Sequence, residues 1–289
     1  FSDINSLIMV FIYGIFASAI SFLTIYFAMP KAITSLREKG SIVQDYHKSE
    51  RPKIPRPAGP ILIIGITLSL IVIYFLTFNE KILAILLTTI IAFLIGFIDD
   101  KRVMPGWFKP IALLIAALPI LLLGAYDTNL NLIFGHAFIP LLYIPLILIA
   151  IPVIGNTINS IDVLNGVASG FILIVCIPLM ISVYILGSVE VFLASLALFF
   201  GTLAFYKFHK FPSKIFPGDS GTLLLGAMYG AIAITGKSEL IAIIALLPAI
   251  FNSFLFLSSV KRVVEHREIT ARPTSLTDDF KLAASTDKK

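Results

Sequence analysis

Long apolar stretches alternate with short polar ones along almost the whole chain. The apolar runs fall at about 7–29, 59–78, 81–98, 110–126, 139–156, 166–187, 189–206, 221–236 and 239–259. Most approach the roughly 20 residues that an α-helix needs to cross the hydrocarbon core of a bilayer. The pattern predicts an all-α, polytopic integral membrane protein with about nine transmembrane helices, forming a single domain over residues 1–289. The first run is too long for the apolar core of a signal peptide and lacks a basic leader and a small-residue cleavage site, so it reads as a spanning helix. The chain opens on Phe1 without a methionine, which points to a trimmed start.

Composition agrees with this solvent. Hydrophobic residues make up 58% of the chain and charged ones 13%, and mean hydropathy is +0.97, beyond what the core of a soluble domain requires. The charges then set orientation. If the first helix runs outward to inward, the segments at about 30–58, 99–109, 156–165, 207–220 and 260–289 face the cytoplasm and hold 20 of the 22 Lys and Arg. Only Lys81 and Lys237 remain outside, as the positive-inside rule demands. A net charge of +5 carried by these loops suits anionic headgroups or a phosphorylated substrate. No nucleic-acid module is present, and the one cysteine, Cys176, lies in an apolar run and excludes a disulfide framework.

Five polar segments lie on the cytoplasmic side. GFIDDKRVMPGWFK, residues 96–109, places Asp99 and Asp100 side by side where an apolar run meets water, with Lys109 after a short loop. Each carboxylate raises its neighbour's cost of ionising, so the pair invites a metal ion, a shared proton or nearby basic groups. In GNTINSIDVLNGVASG, residues 155–170, Asn156, Asn159, Asp162 and Asn165 recur every third residue and would share one stripe if the segment is helical. Carboxamides coordinate hard cations or read a nucleobase edge, although asparagines also join helices in membranes.

KFPSKIFPGDSGTLLLG, residues 210–226, breaks at Pro217-Gly218, and Asp219-Ser220-Gly221 then opens a helix. The backbone NH groups of that helix start could hold an anion beside Asp219, or Asp219 could serve as a plain N-cap. Phe216 could stack on a base or anchor the interface. KRVVEHREITARPT, residues 261–274, supplies His266, Arg267 and Arg272, whose guanidinium forks suit phosphate. QDYHKSERPKIPRPAG, residues 44–59, is a proline-stiffened entry to the second helix, most of whose charges are expected to meet lipid headgroups. Paired Asp, Asn/Asp, an Asp at a helix start, Lys and Arg are together the equipment of metal-assisted phosphoryl transfer.

The order and spacing of GFIDD with Lys109, NxxNxxDxxNG, and FPGDSG followed by a basic loop resemble the polyprenyl-phosphate N-acetylhexosamine-1-phosphate transferases. Asn165 in place of Asp, the Lys109 spacing, and His266-Arg267 in place of a histidine triplet are more similar to the archaeal and eukaryotic dolichyl branch. Members of this family typically have ten transmembrane helices, one more than the nine read here, and Arg56 and Val103 stand where the eukaryotic pattern leads one to expect polar or acidic partners.

The resemblance implies transfer of GlcNAc-1-phosphate from UDP-GlcNAc to dolichyl or polyprenyl phosphate, with release of UMP, as the first membrane step of glycan assembly. It implies Mg²⁺, with Mn²⁺ able to substitute, held by Asn159 and Asp219. Asp99, Asp100 and Asp162 would be catalytic. Gln44, Lys109, Asn156, Asn165, Phe216, His266, Arg267 and Arg272 would contact substrates. The site would face the cytoplasm, from the plasma membrane of a prokaryote or the endoplasmic reticulum of a eukaryote. Besides the two substrates, the membrane and a second copy of the chain are the candidate partners.

Other UDP-sugar donors, phospho-MurNAc-pentapeptide among them, are the nearest alternative. An ion-coupled secondary transporter is a more distant one, disfavoured because its acids would sit near the midplane between related halves. A lipid-binding scaffold would show no metal dependence.

Overall fold

The computed structural model describes residues 2–45, 50–132, 134–260, 274–277, 279 and 281–284. Among these residues nine helices occur, α1 (Ser2–Glu38), α2 (Gly59–Thr77), α3 (Glu80–Lys101), α4 (Phe108–Leu122), α5 (Pro140–Ser160), α6 (Val167–Leu186), α7 (Val189–His209), α8 (Gly218–Thr235) and α9 (Glu239–Val260). The nine apolar runs thus become nine helices, and the protein is a polytopic membrane protein. Helices α1, α2, α3, α5, α6 and α7 are each long and apolar enough to cross a bilayer, whereas Phe108–Leu122 and Glu239–Leu255 are shorter apolar helices. The largest departure from the predicted boundaries is α1, which runs from Ser2 to Glu38 rather than over about 7–29.

Three small antiparallel hairpins supplement the all-α plan. They are β1 (Ile42–Gln44) with β2 (Lys53–Pro55), β3 (Asn129–Leu132) with β4 (Gly135–Phe138), and β5 (Thr274–Leu276) with β6 (Leu282–Ala284). Hairpins satisfy the backbone of polar connections that are too short for a helix. The first lies just before α2, where Phe216 NH donates to the Pro55 carbonyl and Ala58 NH donates to those of Phe216 and Pro217. That exchange ties the entry of α2 to the entry of α8.

Helix α8 is the centre of the bundle, with every residue from Gly218 to Thr235 buried. Its small residues explain how. A Cβ at Gly226 would come within 2.9 Å of Gly155 Cα in α5, and one at Gly96 of α3 would stand 2.5 Å from the Asp219 carbonyl oxygen. Small residues let helix backbones approach closely in membranes, where packing rather than exclusion of water drives association. Close packing of α3 and α5 on α8 brings the C-terminal ends of α3 and α5 to the N-terminal end of α8. There the loops deliver their charges.

Candidate active site

The Asp99-Asp100 pair ends α3, and its two carboxylates turn to different partners. Asp99 is fully buried; it accepts from Met104 NH at 3.1 Å and from Lys109 Nζ at 3.2 Å. Asp100 reaches the first turn of α8, accepting from Asp219 NH at 3.0 Å, from Ser220 NH at 2.9 Å and from Ser220 Oγ at 2.5 Å. The anion expected at this helix start is therefore the protein's own Asp100. Unpaired NH groups and the positive end of the helix dipole hold it there. Asp219 is accordingly not the N-cap. The capping position is Pro217, which makes no side-chain cap, and Asp219 lies in the first turn.

Two cations link these carboxylates to Asp219. Lys109, itself buried, donates through Nζ to both Asp99 Oδ2 and Asp219 Oδ1 at 3.2 Å. Arg56 donates through one nitrogen, Nη2, to Asp100 Oδ1 at 3.0 Å and Asp219 Oδ2 at 2.6 Å. Asp219 is thus the shared member of two bridges. Burial alone would lower the Arg56 pKa, but Asp219, Asp100 and Asp162 outweigh it and raise it. Asp99, Asp100 and Asp219 each receive a partner, as buried charges require, yet among the described residues they and Asp162 outnumber Arg56 and Lys109.

Gly218 makes the junction possible. It adopts a φ of +73°, and a Cβ there would stand 2.7 Å from Asp100 Oδ2 while colliding with Pro57. Only glycine meets both demands without strain.

The asparagine stripe does not survive intact. Helix α5 ends at Ser160, and residues 161–164 form turns, so the four residues diverge. Asn156 bonds back to the Pro152 carbonyl of its own helix at 2.8 Å. Asn159 accepts from Thr222 Oγ1 at 2.7 Å, one turn beyond Asp219 on α8. Asp162 faces His209, with Oδ1 3.5 Å from Nε2. Asn165 is spanned between two neighbours, donating to Asp45 Oδ2 at 3.0 Å and accepting from Ser213 NH at 2.9 Å. The turns lead to Gly166, whose φ of +82° caps the start of α6.

Burial pushes the Asp162 carboxyl up to about 7, with Asp219 and Asp100 adding to the rise and Arg56 opposing it. Gln44 is exposed on β1. Phe216 is half-buried and meets His209 edge-on at 6.3 Å between ring centroids. His266, Arg267 and Arg272 lie outside the described residues.

Three residues of this region escaped the sequence reading. Arg56, marked out only by the family pattern and otherwise grouped with charges expected at lipid headgroups, sits in the ion network, in a segment tied to the start of α8 by the Pro55 carbonyl and Ala58 NH. Asp45, next to Gln44, is buried and holds Asn165. His209 closes α7, buried, stacked on Phe205 at 5.0 Å and bonded through Nδ1 to Ser169 Oγ at 2.8 Å. Its place at the end of an apolar helix was the only available signal.

Comparison with known proteins now adds a family. The sequence profile of glycosyl transferase family 4 matches residues 82–237. The chain belongs to this family. Its match runs from α3 past α8 and so contains Asp99, Asp100, Lys109, Asn159 and Asp219, while Arg56 and Asp45 precede it. A phospho-N-acetylmuramoyl-pentapeptide-transferase of Staphylococcus haemolyticus is 30% identical over 254 residues, covering 80% of this chain and 78% of that protein. The protein of the same name from Staphylococcus aureus strain MSSA476 is 29% identical over the same shares of each chain. A protein described as a putative glycosyltransferase from Methanocaldococcus jannaschii is 28% identical over 240 residues, 82% of this chain and 72% of its own length. The family-4 chain is therefore a multi-pass membrane transferase.

Proposed function

We propose that this family-4 transferase moves GlcNAc-1-phosphate from UDP-GlcNAc to dolichyl or another polyprenyl phosphate. An oxygen of the lipid phosphate bonds to the sugar-bearing phosphorus as the bond from that phosphorus to the bridging oxygen breaks, and UMP leaves. One observation carries the reading: carboxylates and cations from α3, α4, α8 and the segment before α2 converge on Asp219 at one end of a membrane bundle. Such a reaction asks the protein mainly for positioning and charge neutralisation. The excess of Lys and Arg on that side supports a cytoplasmic site.

Mg²⁺ suits the donor set. Among the described residues no three His, Cys, Asp or Glu side chains form a metal cage. Mg²⁺, however, is usually bound by one or two carboxylates together with substrate phosphates and water. Asp219 and Asn159 would hold it, and the ion would neutralise charge on the diphosphate. Lys109, Arg267 and Arg272 would face phosphate oxygens. Asp99 would position Lys109, Asp100 would keep the α8 entry in place, and Asn165 and Phe216 would shape the nucleobase pocket.

The staphylococcal relatives favour a second donor, phospho-MurNAc-pentapeptide, by their names. GlcNAc and a dolichyl-type lipid rest instead on Asn165, the Lys109 spacing and the His266-Arg267 loop. A radiolabel transfer assay with purified protein, Mg²⁺, a short polyprenyl phosphate and a panel of UDP-sugars decides between them. UMP release with UDP-GlcNAc is the expected result. Transfer from UDP-MurNAc-pentapeptide alone would install the second reading, and no transfer from any donor would overturn both.

A further inference from the structure

The two cations around Asp219 are not equivalent. Lys109 is enclosed, with 8% of its side chain exposed, and anchored on the other side by fully buried Asp99. Arg56 retains 26% side-chain exposure and lines a cavity of about 340 Å³ together with Gly40, Ser41, Val43, Pro57 and Lys101. A single Arg56 nitrogen lies between Asp100 Oδ1 and Asp219 Oδ2, at 3.0 and 2.6 Å. That is the position of a cation bridging two aspartates. Arg56 therefore has both a cation's place and a space into which to withdraw. Lys109 is the more enclosed of the two.

We propose that Arg56 is a displaceable internal counter-ion: it occupies Asp219 until a divalent cation binds there, and then turns into the cavity beside β1. The proposal rests on the assignment of Asp219 as a metal ligand. Arginine suits the role because its guanidinium stays charged and holds a carboxylate strongly, so with Lys109 it balances Asp219 and Asp100 while no divalent cation is bound. Removing the occupant also removes a positive charge that repels any incoming cation.

The test measures binding rather than turnover. Mn²⁺ is titrated into purified full-length protein and followed by its electron paramagnetic resonance signal, for wild type, Arg56→Gln, Arg56→Lys and Asp219→Asn, with thermal unfolding recorded for each. Arg56→Gln should bind Mn²⁺ about tenfold more tightly, the effect of deleting one nearby positive charge in a partly screened site. Arg56→Lys keeps the charge that folding needs but shortens the bridge, so it should fall between Arg56→Gln and wild type. Wild-type or weaker Mn²⁺ affinity in either Arg56 variant that keeps the wild-type unfolding transition would overturn the proposal, provided Asp219→Asn loses Mn²⁺. If Asp219→Asn instead binds Mn²⁺ as wild type does, the metal assignment falls and this inference falls with it.

Discussion

The two ends of the bundle use charge in opposite ways. At the α8 entry, buried carboxylates and cations interlock around Asp219, with more acids than bases among the described residues. At the α8 exit, Lys237 meets Asp127 at 2.6 Å with the two side chains 36% and 29% exposed. Asn131 of β3 donates to the Lys237 carbonyl at 3.0 Å, so this end fastens a hairpin to the α8–α9 connection. The acids respond accordingly. Asp162 near the entry is pushed up to about 7, chiefly by burial. Asp127 is pulled down to about 2, chiefly by its hydrogen bond from Lys237. A balanced, solvated pair is sufficient to hold a loop. A buried excess of negative charge is an unfavourable way to build a helix bundle and a favourable way to receive a cation or to order phosphate-binding groups.

The sharpest way to break this comparison is to delete one cation at each end. Lys109→Met leaves Asp99 and Asp219 buried without that partner and should lower stability by about 3–5 kcal/mol, whereas Lys237→Met should cost about 0–1 kcal/mol. Denaturant unfolding in detergent measures both. Equal losses would make the two ends energetically alike.

Asp219→Asn comes next. It should slow UMP release by more than about a hundredfold, the scale of losing one electrostatic contact that acts in the transition state, while Asp127→Asn leaves the rate unchanged. A near-normal rate for Asp219→Asn at saturating Mg²⁺ would reduce the entry cluster to a helix-packing device.

A smaller effect is expected from Gly218→Ala, which adds no charge but forces a Cβ against Asp100 at positive φ. We expect destabilisation of about 1–3 kcal/mol from strain and overpacking, accompanied by reduced turnover. A thermal unfolding midpoint equal to that of wild type would show that the α8 entry tolerates a shift.

The smallest and most specific difference lies in pH dependence, where the two ends should have opposite signs. Asp162 has a folded pKa of about 7 against an ordinary 3.8, so the folded state binds more protons. Its contribution to stability is present at low pH and is lost as pH rises through that interval. Asp127 has a folded pKa of about 2 against 3.8, so its contribution is present above that interval and is lost as pH falls through it. Unfolding curves of Asp162→Asn and Asp127→Asn, each subtracted from wild type across pH, should slope in opposite directions. Parallel slopes would contradict the assigned environments.

Much of the architecture was legible from the residues alone. The nine helices among the described residues were all readable as apolar runs, because a bilayer demands about 20 apolar residues per crossing and requires each backbone group to bond within its own segment. The grouping of Asp99, Asp100, Lys109, Asn159 and Asp219 at one end was equally readable, since charge is excluded from the hydrocarbon and alternating helices return every second loop to the same side. What periodicity could not supply was pairing. The three-residue spacing from Asn156 to Asn165 looked like one helical stripe, but α5 ends at Ser160 and each residue takes a different neighbour.

Sequence by itself therefore determined the solvent, the helices of the described residues, the end where the acids and bases gather and the residue types available there. Tertiary structure alone decided who holds whom. Arg56 and Asp219 are 163 residues apart, Asp100 and Ser220 120, and Lys109 and Asp219 110. Hydropathy is a local property that a short window can read. An ion pair instead depends on which backbones approach closely enough to bring its partners together, and here glycines 96, 155, 218 and 226 set those approaches.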